Sequence, residues 1–371
     1  MKPHQSALIP GCAHFLLAFS IVCVSAWALA QAAPQEAKDE WKPGTTVTEL
    51  KDVVSGANPT RVVQTRSEVN GRRIETRVTE AASINGGYAP ISETEQETVQ
   101  VDANTTRVVH RVYGRDASGS RRLVRVTEEE KTKLPGGAER VVRTSSDADT
   151  NGRLQMTGRE IQQTTPIGSD SKRTETTILS VTPNGFAPVQ KTMEVEQRRG
   201  DTTEIRKSSL GVDVNGRLVP FEERQTSTTT TDATRTTQDR VVADSGNGMT
   251  VVQVTKGTEV KDAQGQQRSE VQTFTPYVPG AAPGTDLYLG RQVTTVTRTL
   301  PSGGQETEQQ VKVAIPTAPR EGLRVEQAVT EVSRPTAPGK TETKTRIKQW
   351  DGNQGLQTVM IGDTYHSTVV H

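Results

Sequence analysis

The sequence predicts an all-β chain: a long antiparallel up-and-down meander of strand-turn units about sixteen residues long, drawn out as an extended twisted or curled sheet. Three observations predict it. A turn signal recurs at about that spacing from Asn70 to Gly265. The stretches between turns are dominated by Val, Thr, Ile, Arg and Glu, and they alternate, as Ile74 and Val78 do against Arg73, Glu75 and Arg77. Helix-period apolar stripes are missing there, and windows such as Thr226 to Thr237 are poor helix formers.

The turns carry the finest detail. They fall at Asn70-Gly71, Asn85-Gly86, Ser118-Gly119, Gly136-Gly137, Asn151-Gly152, Ile167-Gly168, Asn184-Gly185, Gly200-Asp201, Asn215-Gly216, Asn247-Gly248 and Gln264-Gly265. Every second one repeats at about 32 to 33 residues, so the repeated unit is a hairpin. Asn-Gly between alternating segments points to a type I′ turn, which takes positive φ at both central residues. Parity places Val189, Met193 and Val195 on one face against Gln190, Thr192, Glu194 and Glu196.

Residues 1–30 differ from everything after them. Lys2 precedes the apolar run from Phe15 to Val24, which ends at the small-residue site Ala28-Leu29-Ala30. This is the pattern of a secretory signal peptide cleaved after Ala30. Cys12 and Cys23 both fall inside it, leaving a mature chain without thiols or disulfides. Residues 31–60 are polar and weakly patterned and read as a linker. Residues 61–275 are the hairpin-repeat sheet. From Pro276 the rhythm breaks at Pro279, Gly280, Pro283 and Gly284, and residues 276–371 read as irregular strands capping the same sheet.

Composition limits what such a sheet buries. Apolar residues are 32% of the chain and aromatic residues 4%, so each strand offers two or three core candidates, such as Leu123, Val124 and Val126, or Val251, Val252 and Val254. Cross-strand ladders of Thr with Thr and Arg with Glu are expected to hold the faces, at roughly 0.2 to 1 kcal/mol per pair. Charge is balanced, with 45 Lys plus Arg against 44 Asp plus Glu, and opposite signs interleave. That excludes a one-signed surface for nucleic acid. An outer-membrane barrel is weighed and set aside, because Arg122 to Lys133 carries charge at both parities where a lipid face needs an apolar band.

Candidate chemistry is sparse. His110, His366 and His371 are the only histidines after the leader and lack partners at ligand spacing, and no catalytic motif is present. Asp147, Asp149 and Asn151 place oxygens at alternate positions before Gly152, as calcium loops do, and are the calcium candidate. The twelfth position from Asp147 is Gly158 where such a loop has Glu, so the hairpin turn is the stronger account of these residues. The run Asp213 to Leu218, echoed at Asp149 to Leu154, resembles over six residues the tyrosine-aspartate repeats of bacterial secreted shell proteins, without their preceding Tyr.

The expectation from sequence is an exported, non-enzymatic structural repeat protein: a secreted or periplasmic scaffold of the cell envelope or secreted matrix. The alternative is a periplasmic or surface protein holding an extended glycan or peptide ligand. No nucleic acid and no membrane span are expected. An open meander leaves two edges, so self-association through exposed edge strands is expected as well.

Overall fold

The computed structural model describes residues 41–52, 59–83, 86–116, 118–246, 248–276, 286–315, 318–352 and 354–369. The expected signal peptide, with Cys12 and Cys23, lies outside them. Pro43–His371 form one compact unit.

Strands follow one another with short turns between. They are β1 (Gly44–Asp52), β2 (Thr60–Val69), β3 (Arg72–Ala82), β4 (Tyr88–Gln100), β5 (Thr105–Arg115), β6 (Arg121–Lys133), β7 (Glu139–Ala148), β8 (Leu154–Gly168), β9 (Ser171–Thr182) and β10 (Gly185–Arg199). The second half continues as β11 (Thr202–Val212), β12 (Leu218–Thr230), β13 (Thr234–Asp244), β14 (Met249–Lys261), β15 (Gln267–Pro276), β16 (Leu287–Thr299), β17 (Gln305–Ile315), β18 (Ala318–Ala337), β19 (Lys340–Asp351) and β20 (Gly355–Val369). Each pairs antiparallel with its neighbours in sequence, which makes the chain an all-β up-and-down meander. The stretch read as a linker contributes β1.

The sheet closes. β1 pairs with β2 on one side, Val47 against Val63, and with β20 on the other, Glu49 against Tyr365. The 20-stranded sheet is therefore a barrel without free edges. At ~4.8 Å between strands and the usual tilt, its backbone diameter is roughly 40 Å. Closure corrects several expectations together. Self-association through exposed edges, and an extended glycan or peptide held along an edge, both need an edge that does not exist. The open scaffold is replaced by a tube, and the hairpins close on themselves instead of forming an open repeat array. Among the described residues no helix is long and apolar enough to cross a membrane. A closed barrel crosses with strands, so the expectation of no membrane span, drawn from the lack of a long apolar run, loses its basis.

A second periodicity lies inside the strands. Every even-numbered strand from β4 to β20 has a single-residue skip in its pairing with the strand before, at Ile91, Val124, Thr157, Val189, Phe221, Val252, Gly290, Glu326 and Val359, and β18 has a second, longer shift between Ala318 and Leu323. These β-bulges recur at about the hairpin spacing and form a ring near one end of the barrel, where they add twist and bend to the wall. Parity does not carry through a bulge, so the alternation expected from Val189 to Val195 is broken at its first residue.

Register and hand together fix which face is outer. The row of partners that begins at Val47, midway along β1, passes through Val63, Val78, Glu93 and Tyr113 to Leu123, climbing toward the bulged end as strand number rises. In β6 the residues sharing a face with Val126 turn their N–H toward β7, a direction continued by the bond from Leu134 N to Ala138 O. With the right-handed twist of strands, this combination puts the face of Val126, Arg111 and Glu95 outside and that of Arg143, Asp239 and Thr226 inside.

Neither face is apolar. The buried apolar side chains among the described residues are Val109, Val126, Val141 and Val311. Of the core candidates read from sequence, only Val126 is in this set. Backbone ladders around a closed ring, not a packed interior, hold the fold.

Candidate functional site: the inner wall

The inner wall is lined by short polar side chains crossed by ion pairs. Thr164 meets Thr174 at 3.0 Å, and Thr228 meets Thr237 at 3.3 Å. Both pairs lie directly opposite each other in the ladder, where Thr hydroxyls bond across strands. Arg143 donates to Glu129 at 2.6 Å and to Glu160 at 2.8 Å, tying three strands together. Arg125 donates to Asp147 at 2.6 Å. Among the described residues the most enclosed carboxylate is Asp239, 4% exposed, whose Oδ1 accepts from Arg224 Nε and from the Thr226 hydroxyl, both at 2.7 Å. Positive and negative groups alternate around the wall, so it presents water-compatible surface with no one-signed field.

Bulge residues reach this wall. A Cβ built on Gly114 would stand 3.1 Å from Val124 Cγ2, and one on Gly211 would stand 3.2 Å from Phe221 Cδ1. Glycine opposite the bulge therefore makes room for the extra side chain.

The outer wall has a different texture. Arg111 bonds Glu95 at 2.7 Å and Glu97 at 3.1 Å, and Arg121 reaches over Tyr113, 3.5 Å from the ring centre, to Glu93 at 2.6 Å. A shallow cleft there is lined by Arg107, Glu128, Glu130 and Arg140. Its Arg107 and Glu128 pair at 2.9 Å. It offers paired charges and no reactive constellation.

The calcium candidate falls in the turn between β7 and β8. Asp147 lies in β7 and is engaged by Arg125. Asp149 Oδ1 accepts from the N–H groups of Asn151 and Arg153, both at 2.9 Å, and Oδ2 accepts from Gln155 at 3.2 Å. The same carboxylate-to-backbone pattern recurs at Asp116, Asp213 and Asp262. Among the described residues no cluster of three or more His, Cys, Asp or Glu has the arrangement of a metal site. His110 stands on β5 opposite Gln96. His366 lies in β20, and His371 is outside the described residues.

The sequence had separated these residues strand by strand without showing that the ladder brings Glu129, Arg143 and Glu160 together. Register was the missing signal, and the bulges hide it because each shifts the count by one.

No family model matches the chain, and no curated protein matches its sequence. Solved structures do match in fold. The alcaligin outer membrane receptor FauA from Bordetella pertussis superposes with a TM-score of 0.50 at 8% identity, over 88% of this chain and 76% of that one. Looser likenesses are the siderophore receptor PirA from Pseudomonas aeruginosa (TM-score 0.48, 8% identity, 88% of this chain and 80% of that one) and a mutant Rh. blastica porin (0.43, 7%, 88% and 99%). At such identity the likeness is one of fold. Together with closure it overturns the expectation of a secreted or periplasmic structural scaffold, and with it the alternative of an extended-ligand binder, since both readings were built on an open sheet.

Proposed function

We propose that this chain is a barrel of the cell envelope whose water-filled lumen passes ions and small polar solutes. The observation that carries the reading is a closed 20-stranded wall with a polar inner face. Barrels of sixteen to eighteen strands already leave an aqueous channel. Among the described residues every element is a wall strand or a turn between wall strands, including the 3-10 turn Pro135–Gly137. The fold likeness to an outer membrane receptor supports an envelope location and a transport class of function. Because charges of both signs alternate along the inner wall, passage discriminates by size more than by charge.

Adjacent residues on opposite faces provide the test. Thr176 lies on the inner face of β9 and Thr177 on the outer. The described residues contain no cysteine, so Thr176→Cys and Thr177→Cys each give one addressable thiol in the wall. In planar bilayers the protein is expected to give discrete conductance steps, reduced by a bulky thiol reagent in Thr176→Cys and unaffected in Thr177→Cys. Bound protein that gives no steps, or steps indifferent to modification at Thr176, would overturn the proposal.

A further inference from the structure

Among the nine bulge residues Phe221 alone is aromatic, and its surroundings on the inner wall differ from those of the rest. Gln190, Gly211 and Val219 form one ladder row on the inner face of β10, β11 and β12. The missing side chain at Gly211 lets the Phe221 ring lie over that backbone: a Cβ there would stand 3.2 Å from Cδ1 and 3.5 Å from Cε1. The ring is backed by wall on one side and open to the lumen on the other, 39% exposed, with Val189 and Val219 beside it, each 40% exposed. Together these side chains open on the order of 200 Å² of apolar surface. That is room for one ring or a short alkyl chain, and far less than the ~800 Å² that a stable protein partner covers.

Glu222 follows Phe221, and the bulge puts both on the inner face. The ladder partners of Glu222 are Ser209 and Ala243, so no cation stands across from it. Among the described residues its carboxylate has no hydrogen-bond or ion-pair partner. Arg224, two residues along, bonds Asp239 at 2.7 Å, and Lys207, opposite Arg224, has Glu194 across the ladder on its other side. Glu194, Glu222 and Asp239 set against Lys207 and Arg224 leave one negative charge uncompensated, beside an open aromatic face. We propose that this is a subsite for small organic cations that carry an aromatic or alkyl group. The apolar part lies on Phe221 beside the valines, and the ammonium or guanidinium group sits against the Glu222 carboxylate at the edge of the ring. A cation is drawn both to the ring face and to the carboxylate, whereas an anion of the same shape meets the excess negative charge. The inference rests on the reading of the lumen as a passage and names a solute class favoured at one level of it; the wall as a whole keeps its balance of signs.

The described residues contain three phenylalanines, Phe186, Phe221 and Phe274. By register Phe186 and Phe274 lie on the outer face, so in fluorophenylalanine-labelled protein they are the controls for Phe221. With the protein in detergent micelles, 2-phenylethylammonium is expected to shift the Phe221 fluorine signal saturably, and 3-phenylpropionate and ethylammonium to bind at least fivefold more weakly. Glu222→Gln should abolish the preference for the aromatic cation over the aromatic anion, and Glu222→Asp should keep it. A response of Phe221 that is equal for cation and anion, or a preference that survives Glu222→Gln, would overturn the proposal. So would shifts shared by all three phenylalanines, which report entry of the probe into the micelle, or no saturable shift at all. None of these readouts involves passage through the lumen. A barrel that conducts without binding fails this proposal alone, and one that binds without conducting fails only the proposal of conduction.

Discussion

Single residues define the turns more tightly than their dipeptides foretell. Every Asn-Gly pair was expected to form a type I′ turn, yet Asn70 is the only non-glycine residue with positive φ among those described. At Asn151-Gly152 and Asn215-Gly216 an aspartate three residues before the glycine does the work: Asp149 O accepts from Gly152 N, Asp149 N donates to Arg153 O, and the carboxylate accepts from the N–H groups of Asn151 and Arg153. Only the glycine then takes the left-handed region, as Gly152 does with φ of 79°. The turn positions were legible because Gly marks them, whereas the turn type depended on a carboxylate outside the dipeptide. These carboxylates should be acid-sensitive. At Asp116 the hydroxyl of Ser118, followed by the N–H of Ser120, holds the carboxyl below the ordinary Asp value of 3.8, and the N–H of Asn104 does the same at Asp102. A group whose folded pKa is depressed contributes stability that is complete above its unfolded value and is lost as pH falls through the folded value. Titration of Asp116 by NMR should therefore give a midpoint below 3.8, with the Ser118 and Ser120 amides moving in step. Asp116→Asn should remove that titration while keeping the turn. A midpoint at or above 3.8 would show that the carboxylate is not held this way.

At the level of elements, the informative feature is the pairing of a bulge with a glycine across the ladder. Strand identity was readable from Thr, Val and the alternation between marked turns, as in β9 and β11. The bulges were not readable, because an extra residue looks like ordinary strand sequence and only pairing reveals it. Phe221 shows the consequence: it is inserted where Ser209 pairs with Glu222 and Leu210 with Pro220, and it lies against Gly211. Gly211→Val would bring a branched side chain into the ring of Phe221, an overpacking that typically costs about 1 to 3 kcal/mol. Phe221→Ala in the same chain should recover most of that loss. The check is a double-mutant cycle in thermal or denaturant unfolding, where strong non-additivity is expected. Additive effects would mean that glycine at 211 serves its backbone and not the bulge.

Closure belongs to the whole molecule and leaves no local mark in the sequence. A meander of identical local rules can remain an open ribbon or meet itself, and the choice depends on register and twist accumulated over all strands. Two particulars made the open form look right from sequence. Charge at both parities argued against lipid on either face, and this texture is indeed present on both walls; it constrains what the barrel touches but not whether the sheet closes. The stretch carrying β1, polar and lacking turn signals, looked like a linker, yet Thr45 to Asp52 fill the seam between β20 and β2.

The seam supplies a sharp test at this scale, because an edge strand and a seam strand differ in amide protection before any function is assayed. In an open meander the outward-facing amides of the first and last strands bond water and exchange within the earliest time points, while central strands are protected by ladders on both sides. In the closed barrel Val47, Glu49, Asp363 and Tyr365 lie in a ladder like any other. Hydrogen exchange read by mass spectrometry should then show peptides from β1 and β20 protected to the same degree as those from β10 and β11. Deleting residues 44–52 should expose β2 and β20 together, although they stand at opposite ends of the chain, and should bring concentration-dependent association through the two new edges. If β20 kept its protection after that deletion, the seam would not be where the register places it. If β1 exchanged freely in the intact chain, the tube and its lumen would have to be abandoned for a ribbon.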